Sequence, residues 1–305
     1  MNFDVLGLEP RRPEVLDSSI LKDFINCPAY CYLRHILGLR KKFPPGTGEA
    51  KFDWGTCWHT IMEEYTANDY DQGAGLAALE ANYPEYITPL TDKKKRSKER
   101  MAKAFFDYVE KFKESDIKSF EIIRQEQYFD IENLDEDLRW CGRIDDIRRR
   151  TGSGRIIVND YKTSSAMGAN YFSQHERGFQ FPGYVWAANQ MFTGEEVTKI
   201  MIDVMYMITA SHDFFRRTFP YDKYRIAEWV HNVKLWSGRF WHLCDTALNE
   251  PEKWGLNWNH CTNYGICDFF PIHNLTPKGA SRASVIMDAY EVEYWDPRKE
   301  NKKHD

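Results

Sequence analysis

Thr151-Gly-Ser-Gly154 leaves the chain little choice of path: two glycines in four residues between two strand-like runs make a tight turn. Trp140 to Arg148 reads as the strand before it, and Arg155 to Tyr161, rich in Ile and Val, as the strand after it. Strands joined by so short a link pair antiparallel. With Phe120 to Phe129 as a third strand upstream, the result is a β-meander that ends in Asp160-Tyr161-Lys162. The hairpin can bring Asp145 and Asp160 together, each near the end of its strand. Side chains alternate along a strand, so Asp160 and Lys162 share a face.

Around this meander the pattern is helical. Asp17-Ser18-Ser19 reads as a cap before a short amphipathic helix, and Pro28 can open a second, which places Cys27 at the junction. Phe43 to Gly48 is a loop. Trp54 to Tyr65 reads as a helix carrying His59, Glu63 and Glu64, with His59 and Glu63 on one face. A long charged helix is expected from about Thr91 to Lys113, its basic start facing solvent and its apolar positions Met101, Phe105, Val109 and Phe112 at helical spacing. Beyond the meander, Phe179 to Phe192 reads as a helix, Lys199 to Met207 as a strand and Ile226 to Leu248 as a long helix. The C-terminal part reads as loop, and Asp296 to Asp305 as a frayed end.

Ten Trp, 19 Phe and 17 Tyr in 305 residues are ample for a packed core. The apolar stretches fall short of the roughly 20 residues that cross a bilayer, so no membrane association is expected. Nothing near Met1 resembles a signal peptide, so the expected compartment is reducing. Seven cysteines there argue against a disulfide framework and raise metal ligation. A net charge of -5 does not suggest a general polyanion binder, although two basic stripes, Lys93 to Arg96 with Lys98 and Arg100, and Arg148 to Arg150 with Arg155, could meet phosphates. Their plainer reading is a solvated face.

Two converging carboxylates suit a hard divalent cation, and a lysine on the same face can hold a phosphate, polarise water or stabilise developing charge. Alone, Asp-x-Lys reads more simply as turn aspartates with a surface lysine. Its company is what distinguishes it: Gly55-Thr56-x-x-His59 on a helix, Gly142-x-x-Asp145, Asp160-Tyr161-Lys162-Thr163, and Gln180-x-x-x-Tyr184 on a helix, preceded by Ser19-Ile-Leu-x-x-Phe24-x-x-Cys27-Pro28. In this order the elements resemble the RecB-like branch of the PD-(D/E)XK nuclease superfamily, closest to phage and CRISPR-associated exonucleases, from about Ser18 to His273.

That resemblance implies an α/β fold: a restriction-endonuclease-like core with a mixed central sheet flanked by helices. It implies one nuclease domain over residues 1–305, with a helical insertion near 66–118 and a cap in which 17–40 packs against 250–275. It assigns metal binding to His59, Asp145 and Asp160, and catalysis to Lys162 with the two acids. Gln180 and Tyr184 would contact DNA. The backbone carbonyl of Tyr161 could be a further ligand, and Glu63 and Glu126 are accessory candidates that read more simply as solvated or ion-paired. An imidazole ligand favours manganese relative to an all-oxygen site, so Mn2+ should serve at least as well as Mg2+. The implied activity is exonucleolytic hydrolysis of single-stranded DNA or DNA ends in the cytoplasm of a bacterial or phage-infected cell, alongside recombination, CRISPR or phage replication proteins. A catalytically silent nucleic-acid-binding or recombination accessory protein of the same fold is the alternative.

The cysteines form a second constellation. Cys261-x5-Cys267-x5-His273 lies far along the chain from Cys27. Related exonucleases hold an iron-sulfur cluster with one early cysteine and three late ones, and here the last position is His273. Cys27, Cys261, Cys267 and His273 would suit a 4Fe-4S cluster or tetrahedral Zn2+, or the cysteines could simply be buried small hydrophobes. Cys31, Cys57, Cys141 and Cys244 read as core residues.

Overall fold

The computed structural model describes residues 8–135, 138–209, 211–262, 265–274 and 285–296. In order these form helices α1 (Ser18–Asn26) and α2 (Pro28–Cys31), strand β1 (Leu39–Lys41), helices α3 (Ala50–Ala67), α4 (Gln72–Asn82) and α5 (Lys98–Ser119), strands β2 (Phe120–Asp135), β3 (Leu138–Arg150) and β4 (Ile156–Ser164), helices α6 (Tyr171–Glu176) and α7 (Gln180–Met191), strands β5 (Lys199–Met207) and β6 (His212–Pro220), helices α8 (Lys223–Ala247) and α9 (Phe270–Asn274), and strand β7 (Tyr290–Val292). A π-helical turn over Tyr32–Ile36 continues α2. Beyond Asp296, the charged end expected from the sequence lies outside the described residues.

Five strands make one mixed sheet in the order β2-β3-β4-β5-β6, flanked by helices. The meander is antiparallel through β3 and β4, and β5 then lies parallel to β4, because α6 and α7 carry the chain back across a face between them. β6 turns back antiparallel on β5. This last strand was not legible beforehand: His212 to Pro220 carries Asp213, Arg216 and Arg217 among its aromatics and lacks the apolar density of β5.

The chain divides into two compact units, one of residues 43–129 and 143–227, the other of the described parts of 1–42, 130–142 and 228–305. In the first, α3, α4 and α5 build an aromatic core with Trp54, Trp58, Tyr65, Phe105 and Tyr108, joined by Tyr161, Met205 and Phe214 from the sheet. The long helix starts at Lys98, capped by the Ser97 hydroxyl accepting from Arg100 N at 3.3 Å, so Lys93 to Arg96 lie in turns before it. Lys93 and Lys95 are exposed, as the solvent-facing reading of this stripe expects, whereas Arg96 departs from it, buried on Asp92. α4 can pack close on α5 because position 75 is glycine: a Cβ there would meet the Phe105 ring at 2.3 Å.

The second unit gathers the ends of the chain. The Asp17 carboxylate caps α1 by accepting from Ile20 N at 2.7 Å, as its position before Ser18-Ser19 suggests. Phe24 meets Phe240 and Trp254 edge-on at 5.4 and 6.1 Å, while Tyr32 donates to Leu248 O and Ala29 N to Gly255 O. β1 pairs antiparallel with β7. Among the described residues no helix is long and apolar enough to cross a membrane.

Candidate active site

The site grows out of the point where β3 and β4 stop pairing. Their register runs from Arg149↔Ile156 to Asp146↔Asn159 and ends there. One residue further, Tyr161 N donates instead to Asp145 Oδ2 at 2.7 Å, so a side chain takes the place of a ladder partner. The same Oδ2 lies 3.2 Å from Nδ1 of His59 on α3. The helix can come this close because a Cβ at Gly55, one turn earlier, would sit only 3.1 Å from Thr163 Oγ1 on β4. Two residues along β4 from the buried Asp160, Lys162 places Nζ 2.6 Å from Asp160 Oδ2. The structure thus brings His59, Asp145, Asp160 and Lys162 together from a helix and two strands.

The charges of the four are set by one another more than by water. Burial alone would lower the His59 pKa, but the Asp145 charge and hydrogen bond outweigh it and the imidazole is raised. Asp145 is pushed up by burial and pulled down further by His59, Lys162 and Tyr161 N–H, so it is held ionised. Asp160 receives less help: burial lifts it to about 6 against the pull of Lys162. Lys162, disfavoured by burial, is raised by the charges of Asp160 and Asp145 and keeps its proton.

Two further carboxylates were candidates. Glu126 on β2 sits at φ 41, a left-handed backbone that costs a non-glycine residue on the order of 1–3 kcal/mol and persists where the surroundings hold it. Its carboxyl is raised to about 8 by burial and by the charges of Asp145 and Glu63, while Oε2 stands 3.4 Å from Arg143 Nη1. It is thus ion-paired with Arg143, one of the two plainer readings, while its carboxyl also feels the charges of Asp145 and Glu63. Glu63 contributes through its charge on Glu126. The sequence signal that could have found Arg143 is its position two residues before Asp145 on the same strand, hence on the same face.

Gln180 and Tyr184 lie one turn apart on α7, and Gln180 Nε2 donates to the Tyr184 hydroxyl at 2.8 Å. Tyr184 is largely buried against Phe129 and Phe181; burial raises its hydroxyl, as do the nearby charges of Asp160 and Asp145. The Lys162 ammonium stands 5.6 Å from the Phe181 ring centre.

Behind the site, on the opposite face of the same strands, lies a dry layer of charge. Arg148 is fully buried and forks onto Asp146, Nε to Oδ1 at 2.6 Å and Nη2 to Oδ2 at 2.8 Å, with Nη2 also donating to the Tyr161 hydroxyl at 2.5 Å. Asn159 Nδ2 donates to Asp146 Oδ2 at 3.1 Å. The layer continues through Arg216, which donates to Asp203 at 2.5 Å and Asp116 at 2.6 Å, with the Tyr108 hydroxyl on Asp203 at 2.7 Å. Arg148 is therefore no part of a solvated basic stripe, and its neighbour Arg149 is paired with Glu195. Tyr161 joins the two faces: its backbone N–H holds Asp145 while its phenol is held by Arg148.

The family model of the PD-(D/E)XK nuclease superfamily matches residues 18–262. The chain belongs to the PD-(D/E)XK nuclease superfamily. No curated protein matches it. Among solved structures, one titled "Crystal structure of SSO0001" is similar at 16% identity over 75% of this chain and 91% of that one, with a TM-score of 0.29, too loose a superposition to bear on the site. Members of the PD-(D/E)XK superfamily are typically metal-dependent nucleases that use divalent ions such as Mg2+ or Mn2+, and the substrate is nucleic acid.

Among the described residues, no group of three or more His, Cys, Asp or Glu side chains is gathered closely enough to hold an ion as it stands. The donors at the PD-(D/E)XK site still fit one in kind. Two carboxylates and an imidazole converge, and Asp160 Oδ1 is buried with no hydrogen-bond partner, a cost that a cation would remove.

The cysteines lie in the unit that holds the chain ends. Asn257 N donates to Cys27 Sγ at 3.4 Å and Asn257 O accepts from Cys261 Sγ at 3.9 Å, while Cys267 N donates to Cys261 O at 2.9 Å. Burial raises the thiols of Cys261 and Cys267, and each also feels the charge of Cys27. His273 lies on α9. Cys31, Cys57, Cys141 and Cys244 are buried core residues, as expected.

Proposed function

We propose that the chain is a divalent-metal-dependent deoxyribonuclease, acting as an exonuclease on single-stranded DNA or DNA ends. The observation that carries this reading is the convergence of His59, Asp145, Asp160 and Lys162 at the parting of β3 and β4. His59, Asp145, Asp160 and the Tyr161 carbonyl would hold the ion. A bound Mn2+ or Mg2+ supplies Lewis acidity for the phosphoryl oxygens and lowers the pKa of water. His59 would hold such an ion only without the proton it shares with Asp145, and Lys162, 2.6 Å from Asp160, would face the substrate. There its ammonium, kept charged by the two acids, offsets charge developing on the phosphate. Gln180 and Tyr184, pre-set by their mutual hydrogen bond, would orient the strand, a role supported by the reach of the Asp160 and Asp145 charges to Tyr184. The silent accessory alternative is disfavoured by the presence of all four groups.

Purified protein is expected to degrade labelled single-stranded DNA with manganese at least as fast as with magnesium, and to stop in excess chelator. Activity should fall as pH is lowered towards 6, where Asp160 takes up a proton and His59 keeps its own. Equal rates with chelator and manganese would reject the reading. Recombination, CRISPR or phage replication proteins in the cytoplasm are the partners this activity would serve.

Cys27, Cys261, Cys267 and His273 are proposed to bind a 4Fe-4S cluster or Zn2+, joining the ends of the chain. Cys27 and Cys261 sharing Asn257 supports this, since the two thiols are already drawn to one residue. Anaerobically purified protein should show visible absorption for iron-sulfur, or stoichiometric zinc without it. Protein with neither metal would reject the site.

A further inference from the structure

Asp160, Lys162 and Ser164 follow one another on one face of β4 at steps of about 6.6 Å. The pairing with β5 holds through Ser164↔Tyr206, so the alternation does not lapse before the strand ends. Exposure rises along the row: the Asp160 side chain is 1% exposed, that of Lys162 22%, and Ser164 is half-buried. The site therefore opens towards the end of β4. Two turns bring the chain back to this end as α6. Ser164 Oγ donates to Ala166 O at 2.8 Å and accepts from Ala166 N at 3.2 Å, and Tyr171 N donates to Gly168 O at 3.0 Å.

Tyr171, the first residue of α6, is tied to Lys162 by a run of rings. It meets His175, one turn on, edge-on with centres 4.8 Å apart. His175 lies 5.4 Å from Phe181 on α7, the same ring whose centre stands 5.6 Å from the Lys162 ammonium. The phenol lies beside the Ser164 hydroxyl and within the fields of Lys162 and Asp160, and Lys162 feels it in return. Burial raises the phenol against the pull of Lys162 and Ser164, so at neutral pH it keeps its proton and can donate. Packing accounts for the ring but not for the hydroxyl, since phenylalanine would make the same contacts with Phe172 and His175. Ser164 is a neutral neighbour already engaged in its own turn, and an ionised phosphate oxygen is the stronger acceptor for a phenol proton.

We propose that the Tyr171 hydroxyl is a second donor at the phosphate that Lys162 receives, hydrogen-bonding one of its non-bridging oxygens from the open end of β4. The proposal rests on the nuclease reading of the site and adds to it a substrate contact carried by α6.

The test compares Tyr171→Phe with Ser164→Ala in the full chain. Cleavage of a labelled oligothymidylate is followed with manganese, and binding of the same oligomer by fluorescence anisotropy with calcium in its place. Tyr171→Phe keeps every ring contact, so its thermal melting should match the wild type. Its kcat/KM should fall about 10- to 100-fold, as for loss of one hydrogen bond to a charged group, and its binding should weaken about threefold or more. Ser164→Ala leaves the phenol in place and should stay within about threefold of wild type in both assays. A wild type that cuts no better than Tyr171→Phe and binds no tighter sinks only the phosphate contact. Equal losses in the two variants also overturn it, because the hydroxyl would then serve only the turn after β4. A wild type that binds the oligomer through the Tyr171 hydroxyl without cutting it sinks only the nuclease reading, and one that neither binds nor cuts sinks both.

Discussion

Asp160→Asn and Lys162→Ala are each expected to reduce DNA cleavage by about a thousandfold or more, with the fold retained. The size follows from what each group does. Asp160 is a fully buried acid whose second oxygen has no protein partner, so the amide removes one of the two converging carboxylate charges that a divalent ion would need. Lys162 is the ammonium within reach of the two acids, and loss of one positioned charge at a phosphoryl-transfer site typically costs about 10²–10³ in rate before any loss of metal is counted. His59→Ala should act differently. It would remove a proposed ligand and free Asp145, so much of its defect should be recovered by raising manganese, while that of Lys162→Ala should not. Steady-state cleavage across a metal titration, with circular dichroism as the control for folding, separates the two. Full activity in Asp160→Asn or Lys162→Ala would remove both residues from the chemistry.

The second large effect is on stability. Arg148→Ala should destabilise the protein by about 3–5 kcal/mol, because it strands the Asp146 carboxylate in a dry layer that had been neutralised by a two-pronged pair. The double variant Arg148→Met/Asp146→Leu removes both charges and should recover most of that loss, since a buried ion pair contributes little net stability over well-packed apolar groups. Denaturant unfolding measures both. A single variant as stable as wild type would show that the pair is hydrated and that the layer behind β3 and β4 is not closed. The effect should reach the site as well, since the Arg148 partner Tyr161 also supplies the N–H that holds Asp145.

The sequence was readable where a local rule fixes geometry. Gly152 and Gly154 forced the hairpin, and strand alternation put Asp160 and Lys162 on one face. The Gly55 to His59 spacing placed the imidazole one turn beyond the point where α3 touches β4. What stayed hidden was decided by partners distant in sequence. Arg148, Arg149 and Arg150 look alike in a row, and only Asp116, Asp146 and Tyr161, which meet Arg148 from α5, β3 and β4, make it a core residue. Arg96 was misread for the same reason: Asp92 and the turn before α5 bury it. β6 escaped because its charged residues face two different surroundings, Arg216 the buried layer and Arg217 solvent, so no simple apolar period marks it. Glu126 needed knowledge of a backbone angle that no residue type reveals.

We propose that an imidazole from α3 and two acids from β3 and β4 share one cation beside the Lys162 ammonium. A crystal of the protein soaked with manganese and measured at the manganese absorption edge tests it directly. One anomalous peak is expected about 2.1 Å from oxygens of both Asp145 and Asp160, with the His59 ring turned onto it. A fully occupied ion elsewhere, or a His59 ring still hydrogen-bonded to Asp145 with no peak between the acids at saturating metal, would contradict it.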